Sequence, residues 1–137
     1  MTIRRATEDD LAAIESFDEM GGDRSAEIAM GVCWVATCDV SVVAYASYAP
    51  VGLLGQPLLT YLCVHRAFRR RGLALALVQH IQSTVRGRML IASTEDWCLD
   101  SQGLFEKLGW QKIGELSGIN KDGSTEYFYA IELGHRG

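Results

Sequence analysis

Four arginines and a glycine stand together in the middle of the chain, at Arg66, Arg69, Arg70, Arg71 and Gly72, with Ala74 just behind them. These residue types suit a phosphate-like anion. A guanidinium offers a planar fork of donors that matches phosphate oxygens. A glycine at a turn lets an anion approach the backbone with no side chain in the way. A helix starting there would add unbonded N–H groups at the positive end of its dipole, and the small Ala74 keeps the approach open. A nucleotide P-loop would continue Gly-Lys-Ser/Thr, which this turn does not. Taken alone, a basic glycine turn also fits an ordinary capped core helix.

Such a turn needs a strand before it and a helix behind it. Leu58, Leu59, Tyr61, Leu62 and Val64 form a short apolar run rich in strand formers. After Gly72, Ala74, Leu77 or Val78, Ile81 and Val85 recur at helical spacing, with Gln79, Gln82, Ser83 and Arg86 on the opposite face. His80 falls near that polar stripe and is expected to be exposed. Gly87 is expected to be the helix C-cap. Residues 88–92 read as a buried strand, parallel to the central one because a helix joins them.

Upstream, residues 2–6 form a strand anchored by Ile3. Thr7 reads as an N-cap with Glu8, Asp9 and Asp10 in the first turn. Leu11, Ile14 and Phe17 share one face of a helix that runs to about Asp18 and stops at Gly21-Gly22, and a second helix runs from Asp23 to about Met30. Residues 33–37 and 42–48 flank a turn as an antiparallel hairpin. Residues 50–57, with two prolines and two glycines, break the pattern before the central strand. Downstream come a polar connection (93–99), a helix (100–108) stopped by Gly109, and strands at 110–116 and 127–133. The order β-α-α-β-β-β-α-β-α-β-β is that of a mixed α/β sheet.

The 137 residues suit one domain, 1–137. With 13 basic and 17 acidic side chains the net charge is −4, so the arginine cluster is local. This disfavours a nucleic-acid track or an anionic membrane surface and favours a small anionic ligand. The cysteines, Cys33, Cys38, Cys63 and Cys98, show no metal-ligand spacing, and no metal is expected. All but Cys98 lie in predicted strands, as small buried hydrophobes do. The first residues, MTIRRATEDD, lack the apolar core of a signal peptide, and no apolar run reaches membrane-spanning length. A reducing cytoplasm is the expected compartment.

Two motifs carry a family resemblance. Arg69-Arg70-Arg71-Gly72-Leu73-Ala74, after Leu62-Cys63-Val64-His65, resembles motif A of the GNAT superfamily of acetyl-CoA-dependent N-acetyltransferases. Further on, Ser101-Gln-Gly-Leu-Phe-Glu-Lys-Leu-Gly-Trp110 resembles motif B, with Ser93-Thr94 ahead of it. The resemblance implies a mixed central sheet with helices on both faces and acetyl-CoA as co-substrate. It places the co-substrate against Leu62, Cys63, Val64, Arg69, Arg70, Arg71, Gly72, Leu73, Ala74 and Phe105. It implies direct attack by a primary amine of a small molecule, peptide or protein, and a homodimer is compatible with it.

The chemistry this implies needs proton carriers. An amine with a pKa of about 10.4 must lose its proton before attack. The carbonyl oxygen needs a preorganised N–H, which the resemblance assigns to backbone near Cys63-Val64. The position where many members carry a thiolate-protonating tyrosine is Phe105, and Cys98 stands where asparagine is frequent. The central strand, at Thr60, Tyr61 and Leu62, also lacks the glutamate some members use as base. Ser101, one helical turn before Phe105, is therefore the candidate acid, with Tyr129 and Tyr127 in competition. Glu95 and Glu126 are the candidate bases, ahead of His65 and His80. The stretch 18–23 holds three acids and two glycines, so a cationic acceptor is expected. The alternative raised by Phe105 and the missing strand glutamate is an acyl-CoA-binding regulatory module with little or no turnover.

Overall fold

No charged side chain falls between Val40 and Val64, a stretch that folds as the central hairpin of the sheet. Its strands are β3 (Ser41–Leu53) and β4 (Gln56–Val64). The structure is a computed structural model and describes residues 1–134. Around the hairpin lie β1 (Thr2–Arg5), β2 (Cys33–Cys38), β5 (Met89–Glu95), β6 (Gln111–Leu116) and β7 (Glu126–Glu132), in the order β1-β2-β3-β4-β5-β7-β6. Neighbours are antiparallel except β4 and β5, which run parallel and share a single register pair, Leu58 with Ile91. Beyond that pair the two strands part, and the sheet is split toward their C-terminal ends.

Helices α1 (Leu11–Phe17) and α2 (Arg24–Ala29) cover one face, and α3 (Leu73–Thr84) and α4 (Leu99–Lys107) the other. The two-residue period of the strands sorts the core. Val35, Tyr45 and Cys63 meet Ile14 and Ile28, while Ala36, Ala44, Ala46 and Leu90 meet Leu77, Val78 and Ile81. The small alanines let α3 lie close on the sheet. Leu77, Ile81 and Leu90 are each 0% exposed, a burial worth about 1.5–3 kcal/mol per side chain. Among the described residues no helix is long and apolar enough to cross a membrane.

The element order matches the sequence reading, with four local differences. Strands β3 and β4 continue through residues 50–53 and 56–57, meeting at a Leu54-Gly55 turn. Pro50 costs no ladder bond there, because β2 has ended: its last bond to β3 is the Tyr48 N–H to the Val32 carbonyl oxygen, 3.1 Å. Strand β5 runs on through residues 93–95, since β7 pairs with it as far as Glu126. Gly87 is not the C-cap of α3; Val85 is. A Cβ on Gly87 would lie 2.6 Å from the Pro57 ring, so its missing side chain makes room for the hairpin. His80 is not exposed but half-buried, its ring 4.4 Å from that of Trp34.

Candidate active site

Backbone hydrogen bonding decides what the split presents. The N–H of His65 bonds the Val43 carbonyl oxygen at 2.8 Å. In an antiparallel ladder alternate residues bond the same neighbour, so Cys63 and Tyr61 also face β3. The N–H groups of Leu62 and Val64 then point the other way, into the split. The pairing of β3 with β2 agrees: Tyr48 bonds β2, which leaves Ser47 and Tyr45 for β4. Thr60 is the extra residue of a bulge, since Tyr61 and Leu59 oppose the consecutive Ser47 and Tyr48. Its Oγ1 lies 3.2 Å from the Ser47 Oγ. A bulge bends and twists a strand, and this one lies two residues past the last β4–β5 contact.

At the open end of the split the chain passes through a short 3₁₀ turn, Arg66–Phe68, into the arginine run. Arg70 and Gly72 both take positive φ, 65° and 79°. Gly72 is the N-cap of α3 and supplies no side-chain cap. The first helical bond is the Ala76 N–H to the Gly72 carbonyl oxygen, 3.0 Å, so the N–H groups of Leu73, Ala74 and Leu75 have no acceptor in the helix. Nothing lies within 4 Å of where a Gly72 Cβ would be. Turn and helix start together make an open, electropositive cradle of the kind an anion occupies.

The four arginines do not act alike. Arg69 donates from Nε to the Val64 carbonyl oxygen at 3.0 Å and from Nη2 to Glu19 Oε1 at 2.9 Å. Arg66 Nε lies 3.4 Å from the same Glu19 oxygen. The guanidinium of Arg71 lies over the Phe68 ring, 5.0 Å from its centroid, and Arg70 is exposed. Hydrogen bonds from Arg66 and then Arg69 hold the Glu19 carboxyl below its usual range.

Of the proton carriers, Glu95 and Glu126 stand directly opposite each other in the β5–β7 register, so they share one face at the end of the split. Glu126 Oε1 accepts from Asn120 Nδ2 at 2.9 Å. Their positions in the strands put them on the opposite face from Tyr127 and Tyr129, which pack with α3 and α4. Ser101 is half-buried in the first turn of α4, and its Oγ accepts from the Cys98 thiol at 3.3 Å. Phe105 is 4% exposed, stacked on Trp110 with ring centres 5.1 Å apart and tilted against Tyr129 at 5.3 Å. Burial raises the pKa of the Tyr129 phenol. His65 is committed locally, its Nδ1 accepting the Ala67 N–H at 3.0 Å. No group of three or more side chains that could hold a metal occurs among the described residues.

Two arrangements were not legible in the sequence. The acids at 18–23 are not a free negative patch, because Glu19 pairs with Arg66 and Arg69, and Asp18 is bonded by Tyr45 and stands near Arg24. Arg24 is itself buried. Its spacing from Glu27 was the single available signal, and it speaks of a helix ion pair rather than of burial.

A family model described as an acetyltransferase (GNAT) domain matches residues 29–112. Among solved structures, a GNAT-family acetyltransferase from Bacillus cereus ATCC 10987 superimposes with a TM-score of 0.86 at 22% identity, covering 96% of each chain. The ribosomal-protein-S18-alanine N-acetyltransferase of Escherichia coli gives 0.80 at 18%, covering 99% of this chain and 96% of that one. The putative acetyltransferase yncA of Salmonella typhimurium, solved with its cofactor acetyl-CoA, gives 0.81 at 20%, covering 100% and 96%. Among curated proteins none matches. At these identities the structures share the fold, whereas the family model spans the split, the basic turn and α4, and by it the chain belongs to the GNAT acetyltransferase family.

Proposed function

We propose that residues 1–137 act as one N-acetyltransferase domain, moving an acetyl group from acetyl-CoA to a primary amine by direct attack. One observation carries the reading: the unbonded N–H groups of Leu62 and Val64 line a split that runs into the uncapped start of α3. The pyrophosphate of the co-substrate would rest on the backbone from Arg71 to Ala74, with Arg70 beside it. Its thioester would lie along β4 in the split, where an N–H of Leu62 or Val64 meets the oxygen that gains charge in the transition state.

The acceptor amine approaches from the face that carries Glu95 and Glu126. One of these carboxylates takes its proton, directly or through water. Ser101 donates to the departing thiolate: its oxygen accepts from Cys98, which leaves its own O–H free to donate. Two carboxylates on one face also favour a cationic acceptor, a role that no longer rests on Asp18 and Glu19. The regulatory alternative is supported by Phe105, a core ring where a phenol would serve turnover.

Gly72 supplies the test. Gly72→Asp and Gly72→Asn impose the same left-handed backbone, and neither meets a neighbour, so they differ in charge. Acetyl-CoA should raise the Tm of the wild type and of Gly72→Asn, but not of Gly72→Asp. Equal shifts in both variants would remove the anion from this turn. Thiol release with an amine panel then decides between enzyme and regulatory module.

A further inference from the structure

The connection between α1 and α2 is held by a charge buried beneath it. Arg24 is 4% exposed, which a guanidinium tolerates only with partners for its charge and its N–H groups. Nη2 donates to the Gly21 carbonyl oxygen at 2.6 Å, and Nη1 to the phenol oxygen of Tyr45. Nε lies 3.0 Å from Glu27 Oε1. Asp18 closes the group: its Oδ1 accepts from the Tyr45 hydroxyl at 2.6 Å, and its Oδ2 stands 3.8 Å from Arg24 Nη1. The guanidinium carbon lies over two rings, 4.8 Å from the centroid of Tyr45 and 4.3 Å from that of Tyr61.

Tyr61 connects this box to the reacting strand. It follows the bulge residue Thr60 and precedes Leu62, whose N–H faces the split. Its ring is on the α1–α2 side, where a Cβ on Gly22 would lie 2.6 Å from it. A cavity of ≈ 310 Å³, lined by Ser16, Phe17, Asp18, Glu19, His65 and Arg66, opens along the same connection. The co-substrate turn and α3 belong to the other side of the sheet, so this side is the one left for the acceptor.

We propose that Arg24 is a positioning residue for the acceptor: it holds Tyr61 and the 18–23 connection in one arrangement beside the split, and Tyr61 is the acceptor-contacting residue it serves. The proposal rests on the reading of the split as the transfer site. Its physical content is a fork and a flat face. Lysine keeps the charge but supplies neither the planar fork nor the stack.

Arg24→Lys is therefore the informative variant, since Arg24→Met would strand Asp18 and Glu27 without a counter-charge. Arg24→Lys, Tyr61→Leu and the double variant are assayed with the best amine found, and acetyl-CoA affinity is measured by calorimetry. Each single change should raise KM for the amine about tenfold, and the double change should do little more, because coupled residues are not additive. Acetyl-CoA affinity should stay at the wild-type level. Additive effects, or an unchanged KM, overturn the proposal. Hydrogen exchange decides the positioning role even where no amine turns over. Amides of residues 18–29 and 60–62 should exchange faster in Arg24→Lys, with β1 and β7 unchanged; unaltered or fold-wide acceleration counts against it. Failure of acetyl-CoA to stabilise the wild type would instead sink the transferase reading and leave the exchange result standing.

Discussion

Phe105 and Ser101 show how much one residue decides. Phe105 is a core ring between Trp110 and Tyr129, so the helix position that resembles a phenol site here contributes packing. Ser101 keeps a free O–H one turn earlier. Ser101→Ala should lower kcat by about ten- to a hundredfold, at or below the usual range for a lost general acid, with acetyl-CoA affinity intact. Phe105→Tyr in that background should recover part of the rate. Full activity in Ser101→Ala would pass the role to Tyr127 or to water. Two other residues are predicted to be inert: burial pushes the Cys33 thiol up to about 12 and raises that of Cys63 as well. Since the thiolate is the reactive form, alkylation of the native protein at about pH 8 should leave both unmodified by mass spectrometry, and rapid labelling of either would contradict the packing described.

At the level of elements, β4 is a strand with two different edges. Toward β3 it is laddered on both sides of the Thr60 bulge, and toward β5 it is bonded near its start and open beyond. Proline tests this asymmetry, because it removes one N–H and little else where that N–H is not in a ladder. Leu62→Pro should fold and bind acetyl-CoA yet lose about 10²–10³-fold in kcat if its N–H meets the oxyanion. Cys63→Pro removes a ladder bond to β3 and should unfold the domain. Similar circular-dichroism melts for the two variants would refute the register argument. The sequence identified β4 and the helix behind it, because apolar periodicity and a glycine turn are local signals. Which N–H groups stay unbonded depends on the partner strand and on the bulge at Thr60.

Across the whole molecule the N-terminal strand, laddered along β2, is also tied by an ion pair to the turn that follows it. Arg4 donates both terminal nitrogens to Asp10, at 2.7 and 2.9 Å, and the Thr7 N–H adds a bond at 2.7 Å. The Arg4 hydrogen bond, opposed by desolvation and aided by Thr7, holds the Asp10 carboxyl below its usual range. A carboxyl whose folded pKa lies below its unfolded value contributes stability that is present above the unfolded pKa, about 3.9. That contribution is lost as pH falls through the lower folded value. Asp10→Asn should cost about 1–3 kcal/mol at neutral pH. It should also flatten the decline of Tm on acidification below about pH 4. A variant whose Tm follows the wild type throughout would show that the pair does not fasten the strand.

Residue types and spacing alone settled the kinds and order of the elements, the basic glycine turn and the absence of a phenol at Phe105. Those depend on periodicity, on glycine and on residue identity, all of which act over a few positions. Tertiary structure decided the rest. Glu19 meets Arg69, fifty residues away, and so the acids at 18–23 became partners of arginines instead of a free attractor. Arg24 was buried because two tyrosines from separate strands closed over it. Glu95 and Glu126 became neighbours through the pairing of β5 with β7. Charge and type are written residue by residue, but a partner is chosen only when the strands find their register, and with the partner comes the side chain's chemistry.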